Sequence, residues 1–171
     1  MSHTNIENKN NESPLATIHI GHERTVVDIQ TGPGLKEQLI LAVGSTTTAT
    51  LFKHAPPTES EMENAIMLVE DELFHIRHAF PPATMLSTTD QSIHAIAVLG
   101  GETNLTVTRT AVEQVFNRLA AIIQGRPTSF DSIPTDREFC ATLLILREFM
   151  HHLNFASLEL KSPGNQTVDV R

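Results

Sequence analysis

The stretch RTVVDIQTGPGLKEQLILAVG, running from Arg24 to Gly44, decides the fold. Val26, Val27 and Ile29 are strong strand formers, so Arg24 to Gln30 reads as a strand running toward the centre of a sheet. Thr31-Gly32-Pro33-Gly34 reads as a loop, because Pro33 cannot donate to a ladder and the glycines accept positive φ. Leu39 to Val43 is a near-continuous apolar run closed by Gly44, the pattern of a strand buried on both faces. Working outward, Ala16 to Ile20 alternates like a half-buried strand, and Gly21-His22-Glu23 turns it into a hairpin with the next. Three strands in succession are expected.

Beyond Gly44, the small polar run Ser45 to Thr50 is either a loop or the first turn of a short helix reaching Phe52 and Lys53. Thr58 and Glu61 have the spacing of a capping box, and Met62, Ala65, Ile66, Val69, Leu73, Ile76 and Phe80 follow at intervals of three and four. A long amphipathic helix is expected there, stopped by Pro81-Pro82. Thr84 to Ser87 reads as a short strand, and Gln91 to Val98 as a short helix or strand. Thr108 caps a further helix with Val112, Val115, Phe116, Leu119 and Ile122 on one side. Thr135 and Glu138 repeat the capping-box spacing before an apolar helix, and Phe155 to Leu160 reads as a last strand. Strands followed by alternating helices and strands indicate an α/β layer structure, with helices covering a mixed sheet.

With 171 residues and 40% hydrophobic content, one domain is expected. Residues 1–14 read as a disordered tail, 15–161 as the α/β domain and 162–171 as a loose end. The net charge of −8 argues against nucleic-acid or anionic-membrane binding through a basic face. No apolar run approaches a membrane span, and the lone Cys140 excludes an internal disulfide, so a cytoplasmic setting and a buried core thiol are expected.

The nine histidines raise the question of a metal. Asp71, Glu72, His75 and His78 lie at helical spacing, but a helical metal site needs matching ligands from a second helix. Glu113, Glu148 and His151-His152 are scattered candidates for those, and the cluster reads as a solvated helix face, so no metal site is expected. His19 and His22 read as surface residues beside a turn. Gly32-Pro33-Gly34 after Asp28 suggests a loop able to approach a phosphate with backbone amides, although Pro33 removes one donor.

The order of these motifs resembles the second half of the Ppx/GppA phosphatases, the exopolyphosphatases and guanosine-pentaphosphate phosphohydrolases of the actin-like ATPase superfamily. In that family a Val-Val-Asp-Ile strand runs into a Gly-Gly-Gly-Ser-Thr loop. A Leu-x-Leu-Gly strand, a phenylalanine eight residues on, a Pro-Pro turn and a long acidic helix follow. Val26 to Ile29, Leu41 to Gly44, Phe52, Pro56-Pro57 and the helix from Glu59 keep that layout, and Ile133 to Arg137 is similar to its Gly-Leu-x-x-Asp-Arg segment. The resemblance implies a single RNase H-like (actin-like ATPase) lobe: a mixed sheet with an antiparallel three-strand start, covered by helices.

It also implies where function departs from the family. Gln30-Thr31-Gly32 stands where the family cradles phosphate with three glycines, Pro33 at its serine, Thr47 at its arginine and Asp90-Gln91-Ser92 at its second phosphate loop. The preceding subdomain, which supplies the family's catalytic carboxylate, has no counterpart in the short N-terminal tail. Phosphoryl transfer rests on positioning and electrostatics, so a catalytically degenerate module that binds a protein or a phosphate ligand is expected. A homodimer or heterocomplex through the face of the absent lobe would follow. The alternative is residual Mg2+-dependent hydrolysis of polyphosphate or guanosine polyphosphates, with Asp28 near the metal and Thr31, Gly32 and Ser92 on phosphate; Mg2+ is implied only in that case.

Overall fold

The computed structural model describes residues 12–164, so most of the two expected tails lies outside the described residues. One six-stranded mixed sheet has the order β3-β2-β1-β4-β6-β5. Strands β1 (Leu15–Ile20), β2 (Thr25–Gly32) and β3 (Leu35–Leu41) form the antiparallel start. Strands β4 (Met85–Thr88) and β6 (Ser157–Leu160) run parallel to β1, and β5 (Thr106–Thr108) closes the far edge antiparallel to β6. The helices are α1 (Ser45–Ala49), α2 (Glu59–Ile76), α3 (Gln91–Leu99), α4 (Arg109–Ile123) and α5 (Arg137–His152).

A single core occupies one face of the sheet. Ala16, Ile18, Ile20, Val27, Ile29, Leu86, Val107, Leu158 and Leu160 alternate onto it and meet buried residues of all five helices. Helix α5 is the central helix: Cys140 to Leu146 and Glu148 to Met150 are buried, and α1, α2, α3 and α4 pack around it. Each fully buried Leu or Ile on it contributes about 1.5–3 kcal/mol of transfer free energy. Phe149 stacks on Phe155, and Phe80 meets both edge-on. Burial in this helix pushes the Cys140 thiol up to about 12, which makes it a core thiol.

The opposite face of the sheet carries Leu15, Thr17, His19, Val26, Asp28, Ile40 and Met85, all half-buried or exposed; Ser87 alone is fully buried there. This corrects the expectation that Leu39 to Val43 is buried on both faces. β3 is an edge strand with the core on one side only, so Leu41 and Val43 are buried while Ile40 is 54% exposed. The first glycine loop is also tighter than expected. Thr31 and Gly32 belong to β2, and the hairpin turns at Pro33-Gly34, where Gly34 takes φ 72°.

Ser45 to Ala49 resolves as a helix, Gln91 to Leu99 likewise, and β5 had no sequence signal. Thr58 and Glu61 cap α2 reciprocally, and the Thr108 hydroxyl accepts from the Ala111 amide to start α4. At α5 the cap is Asp136 and not Thr135: its carboxylate accepts the Phe139 amide at 2.9 Å. Among the described residues no helix is long and apolar enough to cross a membrane.

Candidate functional site

In α/β sheets ligands gather outside the carboxyl ends of the parallel strands. Here the carboxyl ends of β1 and β4 open into a cleft of about 420 Å3 lined by His19, His22, Ser45, Asp90, Ser92 and Glu138, among others. Its floor is the β1–β2 turn, on which Gly44 sits so closely that a Cβ there would lie 2.5 Å from the His22 carbonyl oxygen. That approach lets the Ser45 amide donate to the Gly21 carbonyl and the Thr46 amide to the His22 carbonyl, both at 2.9 Å. The first amides of α1 are thereby occupied by protein.

Asp90 dominates the chemistry of the cleft. It precedes α3 but makes no cap bond to that helix. Its side chain, 6% exposed, turns across to β1 and accepts the Ile20 amide at 2.7 Å and the His19 ring Nδ1 at 2.6 Å. The Thr88 hydroxyl donates to the Ile18 carbonyl and accepts the Asp90 amide, fixing the chain on either side of the carboxylate. A carboxylate therefore already holds the backbone donor at the end of β1. A second anionic charge about 4 Å away would meet roughly 4 kcal/mol of repulsion at an effective dielectric of 20. An amide hydrogen bond to an anion returns about 1.5–3 kcal/mol and a helix terminus about 0.3–1 kcal/mol, so a single such contact does not overcome the repulsion. Asp136 and Glu138 add two more carboxylates to the lining.

The residues singled out in the sequence do not form one site. Ser92 lies in this cleft, exposed at the start of α3. Asp28, Thr31 and Gly32 lie on β2, which runs back toward the other end of the sheet: Gln30 pairs with Leu15, whereas Thr25 pairs with Ile20. Five residues of strand separate the two ends, about 17 Å. Asp28 is exposed and accepts from the Gln38 side chain at 2.8 Å across the hairpin. The turn beside Asp90 is Gly21-His22, one strand earlier than the loop chosen from the sequence. His19, read as a surface residue, is 66% exposed yet tied to Asp90, a link across 71 positions with no local signal. Asp71, Glu72, His75 and His78 do not converge either; Glu72 instead accepts the Ala42 amide at the end of β3, at 2.8 Å.

By sequence, no family model and no curated protein matches the chain. By structure, it superposes on the Ppx/GppA phosphatase of Aquifex aeolicus with a TM-score of 0.71 at 17% identity, covering 88% of this chain and 54% of that one. An exopolyphosphatase from Cytophaga hutchinsonii gives 0.65 at 10% identity, over 89% and 54% of the two chains. An exopolyphosphatase-like protein gives 0.66 at 11%, over 93% and 59%. The fold is that of one Ppx/GppA lobe. The chain spans about half the length of the solved structures it matches. Within this Ppx/GppA-like lobe, the cleft at the ends of β1 and β4 is the place where the Asp90 carboxylate meets the Ile20 amide and the His19 ring.

Proposed function

We propose that this chain keeps a Ppx/GppA scaffold as a binding module without the phosphohydrolase chemistry of that family. The observation that carries the reading is Asp90, whose buried carboxylate takes the Ile20 amide at the mouth of the central strands. Asp28, the carboxylate that residual hydrolysis would use, lies outside the lining of the cleft that holds Ser92 and is engaged by Gln38, which supports the degenerate reading.

The partner is a second copy of the chain, meeting it through the uncovered face of the sheet. Val26 and Ile40 face each other across β2 and β3 near one end of the strands, and Leu15 and Met85 across β1 and β4 near the other, so two apolar pairs flank Thr17 and Asp28 in a patch over four adjacent strands. A two-fold contact would bury this patch on both copies at once. Sedimentation velocity at about 50 µM tests it. The wild type is expected as a dimer, and Ile40→Lys combined with Met85→Lys as a folded monomer. A monomeric wild type at that concentration overturns the reading.

A further inference from the structure

We propose that Glu70, Glu148 and His152 form a binding site for one divalent first-row metal ion of the zinc class, bridging α2 and α5. His152 Nε2 stands 3.0 Å from a Glu70 oxygen and 3.0 Å from a Glu148 oxygen, and the three ligand atoms all lie within 4.8 Å of one another. This is the one set of histidine and carboxylate groups that converges so among the described residues, and it joins two helices, with Glu70 and His152 82 positions apart in sequence.

The arrangement asks one atom, His152 Nε2, to serve two carboxylates. An imidazole nitrogen offers either a single N–H or a single lone pair. As a donor it serves two carboxylates with one proton; as an acceptor it points its lone pair at two anions. Glu148 cannot escape to water, because its side chain is 2% exposed and its other oxygen is held by the Arg147 guanidinium. A buried carboxylate keeps a free lone pair only at a cost unless a cation meets it. A metal at the centre accepts all three donors together. Zinc sits about 2.0–2.2 Å from nitrogen and carboxylate oxygen in a tetrahedral shell, which places neighbouring ligand atoms about 3.3–3.6 Å apart, so each 3.0 Å contact of His152 would open by only a few tenths of an ångström to admit the ion.

The donor set narrows the ion. One imidazole with two carboxylates suits Zn2+ and its first-row neighbours, whereas Ca2+ and Mg2+ favour all-oxygen shells and Cu+ favours sulfur. Glu70 and His152 are 42% and 39% exposed, and the adjoining cleft by Phe74 and Arg77 leaves room for water to complete the coordination. The ion would pin the last turn of α5 to the middle of α2.

Zn2+ titrated calorimetrically into the full chain, prepared without a histidine tag, tests the site. One saturable equivalent is expected for the wild type. Glu70→Gln and His152→Asn, both at solvent-accessible positions, should each weaken it by about tenfold or more while circular dichroism stays unchanged. Co2+ in place of Zn2+ should give visible absorption bands that the double variant lacks. No saturable equivalent in the wild type, or an equivalent of unchanged affinity in the double variant, overturns the proposal.

Discussion

At the scale of single residues, glycine and aspartate define the cleft by what they allow and what they fill. Gly44 is close-packed on the β1–β2 turn, with the Arg24 amide nitrogen 2.6 Å and the His22 oxygen 2.5 Å from the position of an added Cβ. Backbone cannot give way as a flexible side chain does. Gly44→Ala should therefore destabilise the fold by about 1–3 kcal/mol, measured by urea unfolding, because the turn and α1 must separate. A loss below a few tenths of a kcal/mol would show that the contact relaxes freely. Asp90 acts in the opposite way, by occupying: its carboxylate completes the Ile20 amide and orients His19. The sequence showed a carboxylate at this position, but the partner 71 positions away was not readable from it.

At the scale of elements, the helices are set by local caps and the segments between them by ion pairs. Asp131 accepts from Arg118 on α4 at 2.6 and 2.8 Å and from the Ile133 amide at 3.0 Å. These hold its carboxyl down to about 2, chiefly through the Arg118 hydrogen bonds. A depressed carboxyl stabilises the fold above the ordinary carboxylate value of about 3.9, and that contribution is lost as pH falls toward 2. The stability difference between wild type and Asp131→Asn should be largest near neutrality and shrink between about pH 4 and pH 2, as read from urea midpoints. A difference independent of pH would contradict the pairing. Caps of this local kind were the most legible feature: Thr58 with Glu61 and Thr108 need only residues three apart. At α5 two such pairs overlap by one residue, Thr135 with Glu138 and Asp136 with Phe139, and only the helix's first turn selects Asp136. The apolar run at β3 misled because periodicity reports side-chain character and not strand order; edge position comes from pairings across the whole chain. β5 is three residues long, too short to produce a period.

At the scale of the whole molecule, the antiparallel start, the parallel centre and the helices on one face reproduce a Ppx/GppA lobe at 10–17% identity. The layout was legible as an order of motifs, because turns, caps and apolar runs survive when identities do not. The grouping of the site residues was not: Asp28, Thr31 and Gly32 lie on β2, while β1 is the strand that ends beside Asp90. A one-strand slip moves a loop to the opposite end of the sheet, and a hairpin with two similar strands gives no local reason to prefer either. On the proposed reading, scaffold and chemistry separate in this chain, with the fold kept and the Asp90 carboxylate seated in its cleft. Phosphate release from polyphosphate in Mg2+ measures that separation directly. Wild type and Asp28→Asn are predicted to give the same background with and without the metal; Mg2+-dependent release by the wild type above that of Asp28→Asn would contradict it.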